Sequence, residues 1–325
     1  MEALVEMEIL FTTLVQNLGS WLEAPMQAFT FLGSEMFFLL IMPALYWSID
    51  PVIGFRAGMM LIISGGLNTT LKMLFHTPRP FWVDGSVKAL TSETSFGLPS
   101  GHSQTSAAIW GIVAHTTRKR LAMIIAVIVV FLIGFSRIYL GVHFLHDVLT
   151  GWLAGILFVI LYLSLEKPVA KYIKTKTLGF QILAALLFSL LFILLGKLGS
   201  NIGNQWSLPG EWTSNALAAG VAAPDPFNME GIITIAGVAF GFLAGYALWI
   251  NRYKQYQIKC NALKRVLRYI VGLIGIVILY FGLKLVLPEE PALVGALLRY
   301  LRYTLIGFWV TYFAPWIFRR LHLDA

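Results

Sequence analysis

The sequence predicts an all-α, polytopic transmembrane helix bundle of about nine spans, with an N-terminal amphipathic helix lying at the membrane interface. Three observations predict it. Of 325 residues, 58% are hydrophobic and only 12% are charged, with a mean hydropathy of +0.76. Soluble domains run at roughly 45–50% apolar and about 25% charged. The apolar residues come in blocks approaching the length needed for a hydrocarbon core of about 30 Å. The basic residues collect in a few short linkers instead of being spread along the chain. This composition excludes a water-soluble enzyme, a disordered tail and a coiled coil.

The elements follow in order. In residues 1–25, Leu4, Phe11, Leu14 and Leu18 recur near helical spacing, while Glu2, Glu6 and Glu8 are too many charges for a span; this is the pattern of a helix lying in the interface. The acidic start MEALVEMEIL does not read as a cleavable signal peptide. Spans are expected at 33–48, 54–75, 101–117, 121–140, 146–165, 179–197, 231–250, 267–287 and 293–316, the first of them containing Pro43. Cys260 is the single cysteine, so no intramolecular disulfide forms, and it reads as a packing or loop residue.

Charge orients the spans. Arg118, Lys119 and Arg120 form one cluster, and Lys167, Lys171, Lys174 and Lys176 a second. Arg252, Lys254, Lys259, Lys264, Arg265 and Arg268 form a third, and Arg319 and Arg320 close the chain. With nine alternating spans all four clusters fall on one side, which is then cytoplasmic together with the C-terminus. The acidic N-terminus, loop 76–100, corner 141–146, loop 198–230 and the turn at Glu289 and Glu290 fall on the other. The net charge of +8 therefore reads as topology and not as a nucleic-acid surface. Three blocks result: a catalytic helix bundle over 1–165, a basic cytoplasmic linker over 166–178, and a four-span extension over 179–325.

Polar groups at membrane depth are costly, which makes them functional candidates. Here they concentrate in three segments, KMLFHTPRP at 72–80, PSGH at 99–102 and SRIYLGVHFLHD at 136–147. Lys72 and Arg79 are two helical turns apart and can lean toward one point. Pro78 and Pro80 stop the helix. With Arg137 they make three cations in a charge-poor chain, suited to a multiply charged anion; arginine's fork matches phosphate oxygens. Ser100 and Gly101 open a helix whose free N–H groups form an anion seat, with His102 at its edge. His143 and Asp147, at i and i+4, share a helix face. A carboxylate on Nδ1 fixes the tautomer and leaves Nε2 free to attack. Together these form a kit for phosphoryl transfer through a histidine. No carboxylate cluster is available for magnesium, so neither metal nor other cofactor is expected. A lone lysine near a span end usually snorkels and a lone histidine usually packs; here all three segments fall on the same side by a charge argument that did not use them.

K-x6-RP, PSGH and SR-x5-H-x3-D, in that order, resemble the tripartite signature of the type 2 phosphatidic acid phosphatase superfamily, in its membrane-bound lipid phosphatase branch, over roughly residues 33–165. The resemblance implies that His143 forms a phosphohistidine, that Asp147 orients it and that His102 protonates the leaving oxygen. It also implies that Lys72, Arg79, Ser100, Gly101 and Arg137 hold the phosphoryl oxygens. His76 and His146 match no catalytic position and read as rim residues.

The expected partner is a lipid phosphate drawn from the bilayer, with the site on the extracytoplasmic or lumenal face. An isoprenoid (undecaprenyl-type) diphosphate, phosphatidate, phosphatidylglycerol phosphate and a sphingoid phosphate are all compatible with the signature. So is phosphoryl transfer to a second lipid, while an anion transporter is the reading from a different class. In the second half, Trp206, Trp212 and Phe227 read as interfacial anchors. Arg299 and Arg302 share one face, deep in the last span; they either pair with Glu289, Glu290 or other carboxylates, or supply a secondary anion contact for a larger headgroup.

Overall fold

Uninterrupted apolar runs fold here as helices because backbone at membrane depth has no water to bond and must satisfy its own N–H and C=O groups. The computed structural model describes residues 2–203, 206–254, 256–286 and 292–323. Among these the elements are helices without a strand. Seven helices are long and apolar enough to cross a membrane, or eight if the pair Ser20–Phe31 and Glu35–Ile49, bent by 49°, forms one broken span. The difference from nine is helix Gly101–Thr117. At 17 residues it is about 26 Å long, and it buries Ser103, Gln104, Thr105 and Ser106, so it is shorter and more polar than a lipid-facing span.

The chain forms two compact units, interleaved in sequence. The first comprises residues 1–38, 63–160 and 196–228. Its N-terminal helix α1 (Glu2–Gln16) is shorter than the 1–25 expected. Gly19, at φ 119°, breaks it, a 3₁₀ turn at Ser20–Leu22 follows, and α2 spans Glu23–Phe31. Helix α3 (Glu35–Ala44) carries Pro43 and passes into a π turn at Leu45–Ile49. Helix α4 (Pro51–Phe75) ends where His76 takes a left-handed φ of 52°, and the short α5 (Pro80–Val83) begins on Pro80. Then come α6 (Gly101–Thr117), α7 (Arg120–Tyr139), α8 (Leu145–Lys174), α9 (Leu178–Gly203) and α10 (Gly210–Ala218). Within this unit Phe81, Trp82, Phe96, Tyr139, Leu140, Val142 and Val148 form one apolar core, directly under the loops that carry the polar motifs. Helix α8 continues through Pro168, so most of 166–178 is helical.

The second unit comprises residues 39–62, 161–195 and 229–325. It contains α11 (Glu230–Tyr253), α12 (Ala262–Val277), a π turn at Ile278–Gly282, α13 (Leu283–Val286), α14 (Ala292–Phe308), a π turn at Trp309–Phe313 and α15 (Ala314–Arg320). Helices α11 and α14 pack backbone to backbone: a Cβ at Gly241 would run into the Thr304 carbonyl oxygen, the close approach that small residues allow between membrane helices. Arg56 makes a two-bond pair with Glu166, Nε to Oε1 at 2.8 Å and Nη2 to Oε2 at 2.7 Å. Arg268 is not part of a solvated basic cluster. It is 0% exposed, donates from Nη1 to the Trp47 carbonyl at 3.0 Å and lies over the Tyr256 and Phe318 rings.

Candidate active site

The three polar segments meet within the first unit. Arg79 is fully buried at the N-terminal edge of α5. Its Nε donates to the Ser95 carbonyl at 2.6 Å and its Nη1 to the Val142 carbonyl at 2.8 Å. Its Nη2 reaches Ser95 Oγ at 3.1 Å, the Phe96 carbonyl at 3.2 Å and Glu93 Oε2 at 3.4 Å. Lys72, near the end of α4, donates to the same segment, to Ser95 Oγ at 3.1 Å and the Phe96 carbonyl at 2.5 Å. The two cations do converge, but not by helical periodicity. The helix stops before Pro78, and the turn at 76–79 brings Arg79 back over loop 93–96.

Arg137, in the last turn of α7, donates to Thr30 Oγ1 of α2 at 2.6 Å and to Glu93 Oε1. Glu93 thus bridges two of the three expected phosphate-holding cations. Burial pushes its carboxyl upward, but the Arg79 and Arg137 guanidiniums outweigh this and hold it far below the usual carboxylate range. The carboxylate is therefore held in its charged form by the two guanidiniums it bridges.

His143 lies in the corner between α7 and α8, and α8 starts only at Leu145. The expected shared helix face is therefore replaced by a helix-start arrangement. Asp147 sits in the first turn, and its Oδ2 accepts the Phe144 N–H at 3.0 Å and faces His143 Nδ1 at 3.2 Å. His143 Nε2 faces Arg79 Nη1 at 3.2 Å. Since a guanidinium can only donate, Nε2 carries the lone pair and Nδ1 the proton. Burial first, then the Arg79, Lys72 and Arg137 charges, hold His143 well below the ordinary imidazole value.

The PSGH turn is built as expected. Ser100 is the N-cap of α6 and its hydroxyl accepts from the Ser103 N–H, a frequent way to satisfy a helix start. That hydroxyl also takes the Ser103 Oγ proton at 2.9 Å, while the Ser100 N–H donates to the Asp147 carbonyl at 2.9 Å. Its side chain thus caps the seat, and its backbone N–H ties it to α8. At Gly101 a Cβ would lie 2.9 Å from Asn68 Oδ1, which is why glycine stands there. Asn68 in turn donates to the Pro99 carbonyl at 3.1 Å and to Gln104 Oε1 at 3.0 Å, so a buried amide network fixes the turn. His102 packs beside Gly33, with Arg137 and Glu93 as its strongest charged neighbours.

Residues that sequence reasoning missed are Glu93, Ser95 and Thr30; the one signal for Glu93 was a carboxylate in a charge-poor chain, nine residues before His102. His76 stacks on Trp206 (5.3 Å, 25°) and packs edge-on against Phe96. Trp212 lies against Trp82 at 5.9 Å. The Asp225 N–H donates to the Thr94 carbonyl at 2.9 Å. Segment 206–228 thus packs on the loop carrying Glu93, and its aromatics are core contacts more than interfacial anchors. Arg299 and Arg302 lie in the second unit. Arg299 pairs with Glu230 at 2.7 Å, and buried Arg302 lies over the rings of Tyr303 (5.2 Å) and Tyr280 (6.0 Å). Glu289 and Glu290 fall outside the described residues. Among those described, no three His, Cys, Asp or Glu side chains come together as a metal site.

Residues 54–169 match the model of the PAP2 superfamily, and residues 233–325 that of the PAP2 superfamily phosphatase, transmembrane extension. Phosphatidylglycerophosphatase B of Bacillus subtilis (strain 168) is 30% identical over 165 residues, 47% of this chain and 79% of that one. Sphingosine-1-phosphate phosphatase 1 of Mus musculus is 23% identical over 321 residues, 89% of this chain and 70% of that one. Glucose-6-phosphatase 3 of Homo sapiens is 30% identical over 241 residues, 65% of this chain and 68% of that one. Among solved structures, the crystal structure of the first transmembrane PAP2 type phosphatidylglycerolphosphate phosphatase from Bacillus subtilis aligns with a TM-score of 0.45 at 26% identity, covering 52% of this chain and 89% of that one.

Proposed function

This chain belongs to the PAP2 superfamily and is a multi-span membrane phosphatase, and from that premise we propose that it hydrolyses the phosphate headgroup of a lipid through a phosphohistidine on His143. The observation that carries this reading is the placement of the His143 ring between Asp147 on Nδ1 and Arg79 on Nε2, with Lys72 and Arg137 adding positive charge. In the first step Nε2 attacks phosphorus, the P–O bond to the lipid breaks, and His102 gives its proton to the leaving oxygen. In the second, water attacks phosphorus, His102 takes back a proton, the P–N bond breaks and inorganic phosphate leaves. Asp147 balances the charge that develops on the His143 ring. The Arg79, Arg137 and Lys72 charges and the open N–H groups at the start of α6 hold the phosphoryl oxygens as their charge grows. None of these steps calls for a metal.

Names among the relatives support a phosphatidylglycerol phosphate or sphingoid phosphate as substrate, with an isoprenoid diphosphate a further member of the same chemical class. The glucose-6-phosphatase relative favours a second reading, a soluble sugar phosphate. The distribution of basic residues supports an active site on the extracytoplasmic face and a cytoplasmic C-terminus. The test is phosphate release by purified protein, with chelator present, from phosphatidylglycerol phosphate, sphingosine 1-phosphate, an isoprenoid diphosphate and glucose 6-phosphate, comparing wild type with His143→Ala. The expected result is turnover of at least one lipid, insensitive to chelator and lost in His143→Ala. Turnover of the sugar phosphate alone, or a requirement for magnesium, overturns it.

A further inference from the structure

A line of charged groups leads away from the nucleophile toward the N-terminus. Asp147 Oδ2 is engaged by His143 and the Phe144 N–H. Its other oxygen, Oδ1, is buried and has no hydrogen-bond partner of good geometry among the described residues. The group that faces it is His146 Nε2 at 3.2 Å, off the line of an ideal hydrogen bond and so a charge contact. The other side of the His146 ring is clamped. Its Nδ1 lies 2.5 Å from Glu8 Oε2, and its backbone N–H donates to Glu8 Oε1 at 3.0 Å. The ring also stacks on Phe144 (5.5 Å, 13°). Glu8 belongs to α1 and is only 8% exposed, although a charge on an interfacial helix should face water. Helix α1 is itself pinned to this unit: Gln16 Nε2 donates to the Lys88 and Tyr139 carbonyls at 2.8 and 3.0 Å, and Gln16 Oε1 accepts the Lys88 N–H at 3.1 Å.

We propose that His146 and Glu8 are positioning residues for the reaction proposed above, acting on His143 through Asp147, and that α1 is thereby part of the active-site machinery. The argument is electrostatic and geometric. A histidine between two carboxylates is favoured as an imidazolium, here hydrogen-bonded through Nδ1 to Glu8 and facing Asp147 Oδ1 with Nε2 as a charge contact. Charges then alternate along the line: Glu8 negative, His146 positive, Asp147 negative, and positive charge developing on His143 as its Nε2 bonds to phosphorus. His146 keeps Asp147 ionised and prevents its carboxylate from turning away from His143 Nδ1; Glu8 keeps His146 charged and in place. No proton travels along the line, and His143 retains its Nδ1 proton throughout. This differs from a contact that merely anchors α1, because an anchor acts on folding and not on the rate of the chemical step. The proposal rests on the phosphohistidine reading, and the test separates the two.

The experiment is steady-state kinetics on the full-length protein in lipid-containing micelles, with the lipid phosphate turned over fastest. Thermal unfolding of each variant is followed in the same micelles. His146→Gln and Glu8→Gln should each lower kcat about 10- to 100-fold, the effect of one lost charge-assisted hydrogen bond, with KM changed less than about twofold. The double variant should be little worse than the worse single one, since residues acting as a unit are not additive. Glu8→Asp, which keeps the charge, should recover much of the loss. Wild-type kcat per folded molecule in His146→Gln, or additive losses that track the unfolding temperature, overturns the proposal in favour of an anchor. His143→Ala is the control: residual turnover there refutes the phosphohistidine reading itself, whereas loss there with full activity in His146→Gln refutes only the positioning role.

Discussion

Arg79 Nη1 lies 3.2 Å from Nε2 of His143, so the residue expected to hold the phosphoryl group also rests on the atom expected to attack it. The contact sets the tautomer, but an incoming phosphate oxygen must take over this N–H before Nε2 can reach phosphorus. Arg79 can yield only slightly, because Nε and Nη1 are held by the Ser95 and Val142 carbonyls at 2.6 and 2.8 Å. The fork geometry is thus needed in both states, and lysine, a point charge, cannot supply it. Arg79→Lys should lower kcat/KM by roughly 10²- to 10³-fold, as for removal of one oxyanion donor. Steady-state kinetics on folded protein checks this, and a loss under tenfold contradicts it.

Glu93 pairs with both the Arg79 and the Arg137 guanidinium. If the proposed site holds phosphate on these guanidiniums, phosphate has to displace Glu93, which weakens the binding of product as well as of substrate. Glu93→Gln leaves two buried cations without their counter-charge, a cost of about 3–5 kcal/mol. Its unfolding temperature should fall, and inorganic phosphate should restore it, since a ligand at 100 times its Kd contributes about 2.7 kcal/mol. Product inhibition should tighten at least tenfold. Calorimetric melts with and without phosphate, together with inhibition kinetics, measure both effects. Unchanged inhibition would remove the competition argument.

The pH dependence follows from His143. Burial and the Arg79, Lys72 and Arg137 charges depress its pKa, so the neutral, nucleophilic form persists as pH falls through the ordinary histidine value of about 6.5. On the acid side, the loss due to His143 sets in only when pH drops through the depressed value, where Nε2 gains a proton. The profile of kcat/KM, which reports the free enzyme, should therefore keep its His143-dependent plateau below pH ~6, once the second ionisation of a phosphomonoester, near 6, is divided out. An acid limb centred at the ordinary histidine value contradicts this environment.

Arg299 is paired with Glu230, and Arg302 is buried over two tyrosine rings. Both already have structural partners. Arg299→Gln, at a half-exposed pair, should cost about 0–1 kcal/mol of stability, and Arg302→Gln more. KM for lipid mono- and diphosphates should shift by the same factor in each variant. A selective rise for the diphosphate would restore the idea of a secondary anion contact.

Much of the site was legible in the sequence because its parts are local. A charge-poor chain makes Lys72, Arg79 and Arg137 conspicuous, and PSGH announces a helix start that Ser100 does cap. What was not legible depends on tertiary return. Lys72 and Arg79 suggested two turns of one helix, yet the left-handed His76 and the prolines end that helix, and convergence comes from the bend. His143 and Asp147 suggested a shared helix face, whereas the Asp147 carboxylate gathers the preceding corner onto the first turn of α8. Glu93 stands among Thr and Ser in a loop that reads as solvated, and Glu8 in a helix that reads as interfacial. Spacing alone cannot reveal that a carboxylate folds inward onto a cation 44 or 138 residues away. Helix α6 stands apart from the other spans for a related reason: its hydroxyl and amide side chains are buried in the network around the PSGH turn, so it is shorter and more polar than helices that face lipid.

The central claim is that His143 carries the phosphoryl group between lipid and water. The most direct measurement is rapid acid-free quench of the protein turning over a ³²P-labelled lipid phosphate, followed by digestion and location of the label. A base-stable, acid-labile phosphoramidate on the peptide containing His143, formed and discharged at rates matching kcat and absent in His143→Ala, is the predicted result. Turnover without any labelled protein, or label on a residue other than His143, would contradict the account.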